Sequence, residues 1–347
     1  MKAMQIAGYT FANGLAAAPM AGVTDRVFRA LCRSLGANVT TGEMVSARPE
    51  LRATRKSRLR LDQAGEPAPR IVQIAGGDVA DLVHAAKVNA DEGADIIDIN
   101  MGCPAKKVCR KAAGSALMAD EDRVAAILDG VVNAVAIPVT LKMRTGVSAD
   151  RRNAVAIARR AEQAGIAALA VHGRTRDQHY TGVAEYDTIA AVKRAVSLPV
   201  WANGDIDSPA KARAVLAATG ADGLMIGRAA CRRPWLFREI AIERATGVPP
   251  APPTLADERQ WLLGLIEQLH DFYGEQQGVR VARKHIGWLN ERRPVSPALY
   301  MDMVQADTAA RQLRLLDCCF DAAAAAEQRL RQRPEEQAAG PDSAAAA

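Results

Sequence analysis

The chain has 347 residues, 49% of them hydrophobic and 24% charged, which allows a large buried core and argues against disorder. A formal charge of +6 and a pI near 9.1 point to an anionic partner. No run approaches the roughly 18 uninterrupted apolar residues of a spanning helix, and the apolar stretch 11–23 is broken by proline and glycine and is a poor signal peptide. Six cysteines, Cys32, Cys103, Cys109, Cys231, Cys318 and Cys319, form neither a CxxC pair nor a His-rich cluster. That pattern disfavours zinc and disulfides and suggests a reducing, cytoplasmic setting.

In chain order, short apolar runs fall at 15–18, 39–41, 71–74, 96–99, 139–141, 168–171, 200–202 and 223–226. Ala-rich segments of helical period separate them, among them 78–92, 123–135, 149–164, 188–196 and 208–219. Ser148 and Ser208 read as helix caps, with Pro209 at a first helical position. Strands alternating with helices in eight units predict an α/β chain folded as a (β/α)8 TIM barrel. Residues 1–245 make the catalytic barrel on this reading, and the Pro-rich stretch 246–254 is a stiff linker. Thr254 and Asp257 then resemble a capping box that opens a small C-terminal helical bundle, 255–333. In it Trp261, Leu262, Leu265, Ile266, Leu269 and Phe272 share one face, and further helical patterns span 279–291 and 297–328. Residues 334–347 are polar, then Ala-rich, and read as a disordered tail.

In such a barrel the chemistry lies where the strands end. The exits carry Pro19, Met20 and Ala21, then Glu43, Gln73, Asn100 with Cys103, and Lys142 with Arg144. They continue with His172, Gly173 and Arg174, then Asn203, Gly204 and Asp205, then Gly227 and Arg228. For Glu43 an ordinary loop role is as good a reading as a functional one. Cys103, in a Gly-Cys-Pro turn beside Lys106 and Lys107, is by itself a structural thiol, a positioned acid or a nucleophile. Glycines at the last two exits suit an oxyanion, and neither G-x-G-x-x-G nor a P-loop occurs, so the phosphate fits a mononucleotide such as FMN. Gln73 would read the ring's N–H and C=O groups and Lys142 would stabilise negative charge on it. The rival chemistry for Lys142 is a Schiff base.

These segments carry a resemblance. APMAGVTDRVFR at 18–29, VQIAGGD at 72–78, DINMGCPAKKV at 98–108, LKMRTG at 141–146, HGRTR at 172–176, ANGDI at 202–206 and LMIGRAACRRPWLFREI at 224–240 resemble the bacterial tRNA-dihydrouridine synthases, in detail their B type. The resemblance implies an FMN-dependent reduction of the C5=C6 bond of a D-loop uridine in tRNA, with NADPH, or else NADH, as reductant. It makes Cys103 the proton donor to C5 while reduced flavin gives hydride to C6. FMN would be held by Pro19, Met20, Ala21, Gln73, Lys142, His172, Asn203, Gly204, Asp205, Gly227 and Arg228, and Asn100 would position the uracil. Cys109 departs from the B type, which carries a polar residue there, and the Ala-rich tail has no counterpart.

A base stacked in folded RNA must be turned out to reach a barrel mouth. Phosphate contacts are therefore expected from Lys106, Lys107, Arg110 and Lys111, from Arg174 and Arg176, from Arg228, Arg232 and Arg233, and from Arg280, Arg283, Lys284 and His285. The lysines and arginine after Cys103 are expected to point outward, since inward they would depress its pKa. The expected partner is the tRNA D-arm, with no membrane and no stable protein partner. Two alternatives are an FMN-dependent reductase of free pyrimidines, resembling dihydroorotate dehydrogenase, and a non-catalytic flavin-binding tRNA chaperone.

Overall fold

The structure, a computed structural model, describes residues 3–110 and 112–331, with the side chains of Lys107, Leu330 and Arg331 excepted. The expectations for Lys111, for the Lys107 side chain and for the tail from 334 onward lie outside the described residues. Two compact units result, Met1–Ala251 and Pro252–Ala347.

The first unit begins with a hairpin absent from the sequence reading, β1 (Met4–Ile6) and β2 (Tyr9–Phe11), paired antiparallel. Its turn residues Ala7 and Gly8 both have positive φ, 44° and 90°, as a two-residue turn matched to strand twist requires. The hairpin delivers Met4, Ile6 and Phe11 to a cluster with Val39, Ile71, Ile96, Ala168 and Trp201, residues at or near the starts of the barrel strands. It therefore plugs the end opposite the strand exits.

The barrel strands are β3 (Leu15–Ala17), β4 (Val39–Thr40), β5 (Val45–Ser46), β6 (Ile71–Ala75), β7 (Ile96–Met101), β8 (Val139–Arg144), β9 (Ala168–His172), β10 (Val200–Asn203) and β11 (Gly223–Ile226). All pair in parallel in the order β4-β3-β11-β10-β9-β8-β7-β6-β5. β4 and β5 occupy one strand position, interrupted between them, so nine segments fill eight positions. A Thr41–Ile71 bridge joins that position to β6 and closes the ring. The strands are almost wholly buried because core side chains fill one face and helices cover the other. The fold is the expected TIM barrel.

The helices between strands follow the expected segments: Val79–Asp91, Glu121–Val132, Ala154–Ala164, Asp187–Ala195 and Pro209–Thr219. Ser208 caps as expected, its side chain accepting from the Lys211 N–H. Ser148 does not. It bridges to Arg151 in the β8 exit loop, and the helix starts after Asn153.

Helix Leu236–Thr246 runs into the expected linker and stops at Gly247, φ 77°. In the second unit Thr254 and Asp257 form the capping box of Leu255–Tyr273, each such cap being worth about 1 kcal/mol. That helix buries Leu265, Ile266 and Leu269, while Trp261, Leu262 and Phe272 are half-buried. Helix Glu275–Arg292 follows. The single pattern expected over 297–328 is two helices, Pro297–Gln305 and Ala309–Arg331. Thr308 starts the second by accepting from the Arg311 N–H, a cap the Ala-rich periodicity concealed. No helix among the described residues is long and apolar enough to cross a membrane.

Candidate active site

At the β7 exit the main chain of Cys103 is held from both sides. Its N–H donates to Asn100 Oδ1 at 3.0 Å, and its carbonyl accepts from the Ser115 N–H at 3.0 Å and the Ser115 hydroxyl at 2.9 Å. Gly114 makes the approach possible: a Cβ there would lie 2.7 Å from the Cys103 oxygen. Burial pushes the Cys103 thiol above its ordinary pKa, and Arg144 and Lys142 pull the other way. Near neutral pH the group is therefore a protonated thiol, suited to giving a proton rather than to attack.

Asn100 spends its acceptor on this turn, taking the N–H groups of both Gly102 and Cys103, and donates through Nδ2 to Gln73 Oε1 at 2.8 Å. Gln73 donates in turn to Asp98 Oδ2 at 2.7 Å. Both amides expected to face ligand thus spend one donor and their carbonyl within the barrel, and among the described residues each keeps one further N–H.

Lys142 is half-buried, and its Nζ donates to Asn203 Oδ1 at 3.2 Å. Burial first, and then Arg144, lower its pKa to about 8, against an opposing pull from Asp98. It is still mostly cationic at neutral pH. Arg144, an exit residue that the sequence reading left without a role, is 1% exposed. Its Nε donates to the Gly102 carbonyl at 2.8 Å and its Nη1 to the Thr175 carbonyl at 2.7 Å. It ties the cysteine turn to the loop after β9.

His172 is buried among Lys142, Arg144, Arg174 and Arg228. Burial and these four cations drive its pKa to about 2. The imidazole is neutral. Arg174 Nη1 lies 3.4 Å from His172 Nε2; since guanidinium only donates, that nitrogen is the acceptor and Nδ1 carries the proton.

Arg174 was expected to reach RNA phosphate, and the structure corrects this. It is 1% exposed and pairs with Asp205 through both terminal nitrogens. It also donates to the carbonyls of Thr181 and Gly182. Asp205 further accepts from Arg228 Nη2 at 3.0 Å and the Ala184 N–H at 2.8 Å. Burial opposes its ionisation, but these hydrogen bonds outweigh it and hold the carboxyl below the usual range. Its side chain ties these loops together. Gly204, φ 127°, has no room for a Cβ, which would meet Ala184 at 2.7 Å.

At Gly227 there is space instead, since a Cβ would meet nothing nearer than Ala18 Cβ and Met20 Sδ, both at 3.7 Å. Pro19 and Met20 are half-buried and Ala21 is exposed. Glu43, left open by the sequence, accepts from the Gly22 N–H at 2.6 Å and from Arg60 Nε at 2.9 Å, and so shapes this turn.

Of the expected phosphate contacts, Lys106 and Arg110 are exposed, while Arg176 is half-buried. In the second unit Arg283 is exposed and Lys284 half-buried. His285 is a correction: it is 2% exposed, with its pKa lowered by burial to about 3, so it is a neutral core residue and no part of a basic face.

The family model "Dihydrouridine synthase (Dus)" matches residues 16–325. The chain is 62% identical over 290 residues to tRNA-dihydrouridine synthase B of Pseudomonas aeruginosa, covering 83% of this chain and 87% of that one. It is 58% identical over 319 residues to tRNA-dihydrouridine synthase B of Xanthomonas campestris pv. campestris, with coverage of 92% and 96%. For the protein of the same name from Proteus vulgaris the identity is 53% over 320 residues, with coverage of 92% and 98%. With its barrel, its Gly-Cys-Pro exit and matches of this extent, the chain belongs to the dihydrouridine synthase family.

Proposed function

We propose that this protein reduces the C5=C6 bond of a D-loop uridine in tRNA to 5,6-dihydrouridine in the cytoplasm, with FMN as bound cofactor and NADPH as reductant. The observation that carries the reading is a thiol, Cys103, whose main chain is clamped at a barrel mouth near the half-buried cation Lys142, with burial raising the thiol's pKa. The family and the names of its relatives support the same reaction.

The residues present fit FMN. Among the described residues Lys142 has one hydrogen-bond acceptor, Asn203, so a half-buried ammonium keeps donors for an electron-rich ring edge. The cations around His172 exceed the two carboxylates, Asp98 and Asp205, that face them, which favours an anion such as a phosphate ester. Space before Gly227 and the backbone of Asn203, Gly204 and Asp205 would receive it, with Pro19, Met20, Ala21, Gln73, His172 and Arg228 around the remainder. When bound and reduced, FMN would supply hydride to C6 of the uracil.

The chain's own residues do the rest. Cys103 Sγ–H would protonate C5, and the thiolate would regain its proton from water. Asn100 and Ser115 hold the main chain that carries that sulfur. Lys142 offsets negative charge on the ring system during reduction. Lys106, Arg110, Arg176, Arg283 and Lys284 supply phosphate contacts for the tRNA.

The test is reduction of unmodified tRNA by purified holoprotein with NADPH, read as a gain of about 2 Da, from two added hydrogens, in a mapped D-loop fragment. No gain overturns the proposal. A Cys103→Ala variant with near wild-type turnover removes the thiol as the acid.

A further inference from the structure

The side chains that hold Cys103 continue inward past Asn100 to Asp98, a buried carboxylate that the proposed chemistry does not use. Strand register sets Asp98 of β7 opposite Gln73 of β6 on one side and Thr140 of β8 on the other. Its Oδ2 accepts from Gln73 Nε2 at 2.7 Å, and its Oδ1 accepts from the Thr140 hydroxyl at 2.6 Å. Gln73 Oε1 accepts from Asn100 Nδ2 at 2.8 Å, and Asn100 Oδ1 accepts from the N–H groups of Gly102 and Cys103 at 3.2 and 3.0 Å.

This relay has a direction. An amide side chain is nearly symmetric in shape, and its neighbours decide which end donates. Two main-chain N–H groups at the outer end require an oxygen from Asn100, which leaves its NH2 for Gln73. The Gln73 oxygen then faces Asn100 and its NH2 faces inward, where only an acceptor completes the chain. Asp98 is that acceptor. Reversing the relay would set the Asn100 NH2 against two N–H donors and break the turn that carries the thiol.

We infer that Asp98 is a positioning residue for Cys103: its oxygen sets the polarity of the Gln73–Asn100 relay and thereby holds the turn at 102–103. The inference rests on the reading of Cys103 as the acid, and deepens it. Thr140 makes the device independent of charge. Its hydroxyl donates to an ionised Asp98, and it accepts if Oδ1 carries a proton, so Oδ2 remains available to Gln73 in either state.

The Thr140 hydroxyl also makes the variants separable. In Asp98→Asn the amide oxygen can face Gln73 while its NH2 donates to Thr140, which preserves the polarity without the charge. Asp98→Leu has similar bulk and no acceptor. Thr140→Val placed in the Asp98→Asn background withdraws the acceptor for that NH2, and so removes what favours the working orientation.

The experiment uses full-length holoprotein with two readouts: single-turnover reduction of saturating unmodified tRNA, and the rate at which iodoacetamide alkylates Cys103 at fixed pH, followed on the Cys103 peptide by mass spectrometry. Asp98→Leu is expected to slow reduction at saturating tRNA roughly 10- to 100-fold, the scale of a small displacement of a reacting group, with the Cys103 alkylation rate altered. Asp98→Asn is expected to restore both readouts, and adding Thr140→Val to lose them again. A folded Asp98→Leu variant with wild-type reduction and alkylation overturns the inference. So does an Asp98→Asn variant as impaired as Asp98→Leu, which would make charge the operative property. If Asp98→Leu does not fold, the Asp98→Asn pair with and without Thr140→Val carries the test, and equal behaviour of that pair overturns it. Undiminished reduction by Cys103→Ala would instead sink the acid reading, while alkylation of Cys103 would still report on Asp98.

Discussion

Arg174 and Asp205 form a two-pronged ion pair, Nη1 to Oδ1 at 2.9 Å and Nη2 to Oδ2 at 2.7 Å, that locks the loop after β9 to the loop after β10. The same guanidinium satisfies the Thr181 and Gly182 carbonyls, so its charge is spent on holding loops. Arg174→Met would leave Asp205 with Arg228 alone among its cations and two carbonyls without their donor. We expect a loss of about 3 kcal/mol, at the low end for breaking a buried pair because Asp205 keeps one partner, measured by urea denaturation. Arg174→Lys should rescue little of it, since an ammonium cannot serve the forked geometry. The salt dependence of tRNA binding should not change, as it would if Arg174 touched RNA phosphate.

Lys142 should weaken the protein that it serves. Its pKa falls from the ordinary 10.5 to about 8 on folding, so between those values the unfolded chain binds more protons and stability rises with pH. Below about 8 the cost of burying the cation is fully present, about 3 kcal/mol by linkage. In the flavin-free protein Lys142→Met should therefore be more stable at pH 7, by about 2 kcal/mol after loss of the bond to Asn203. The advantage should shrink as pH approaches 10. Urea titrations at pH 7 and pH 10 check the sign. The same variant should fail in tRNA reduction.

The strand runs and exits were legible because a parallel barrel buries both faces of short, β-branched and Ala-rich segments, and Gly-Cys-Pro or Asn-Gly-Asp marks where each run stops. The hairpin of β1 and β2 was not, since three-residue strands give no period to read. Arg174 and Asp98 were misplaced or missed for a different reason. A charged residue beside a strand exit looks the same in sequence whether it points to solvent or to a partner on another strand. Asp205 lies 31 positions from Arg174, and Thr140 lies 42 from Asp98; only the parallel pairing of neighbouring strands brings either pair together. Glu43 was undecidable on the same ground, its partners being the main chain of Gly22 and the Arg60 guanidinium.

Two buried imidazoles should make the fold sensitive to acid. Burial lowers His285 to about 3, and burial with four nearby cations lowers His172 to about 2. Between pH 6.5 and those values the unfolded chain takes up protons that the folded chain refuses, so stability falls as pH drops below about 6.5, each histidine contributing about 1.4 kcal/mol per pH unit. His285→Gln should flatten the pH 6 to 4 slope of urea stability by about one proton. An unchanged slope would mean that His285 titrates normally. Neither imidazole should show an NMR titration between pH 5 and 8.

Gly114→Ala should strike the thiol from behind. Gly114 has φ +61°, and a Cβ there would sit 2.7 Å from the Cys103 carbonyl oxygen and 2.9 Å from Val108 Cγ1. Backbone must move, and the carbonyl it displaces is the one held by Ser115. We expect a loss of about 1–3 kcal/mol in stability together with a fall of roughly 100-fold in single-turnover tRNA reduction. Gly220→Ala is the control. Its φ is +64° with nothing within 4 Å of a Cβ, so it should cost about 1 kcal/mol of conformational strain and leave reduction at the wild-type rate. Equal rates in both variants would show that the turn around Cys103 absorbs the added methyl without moving the sulfur.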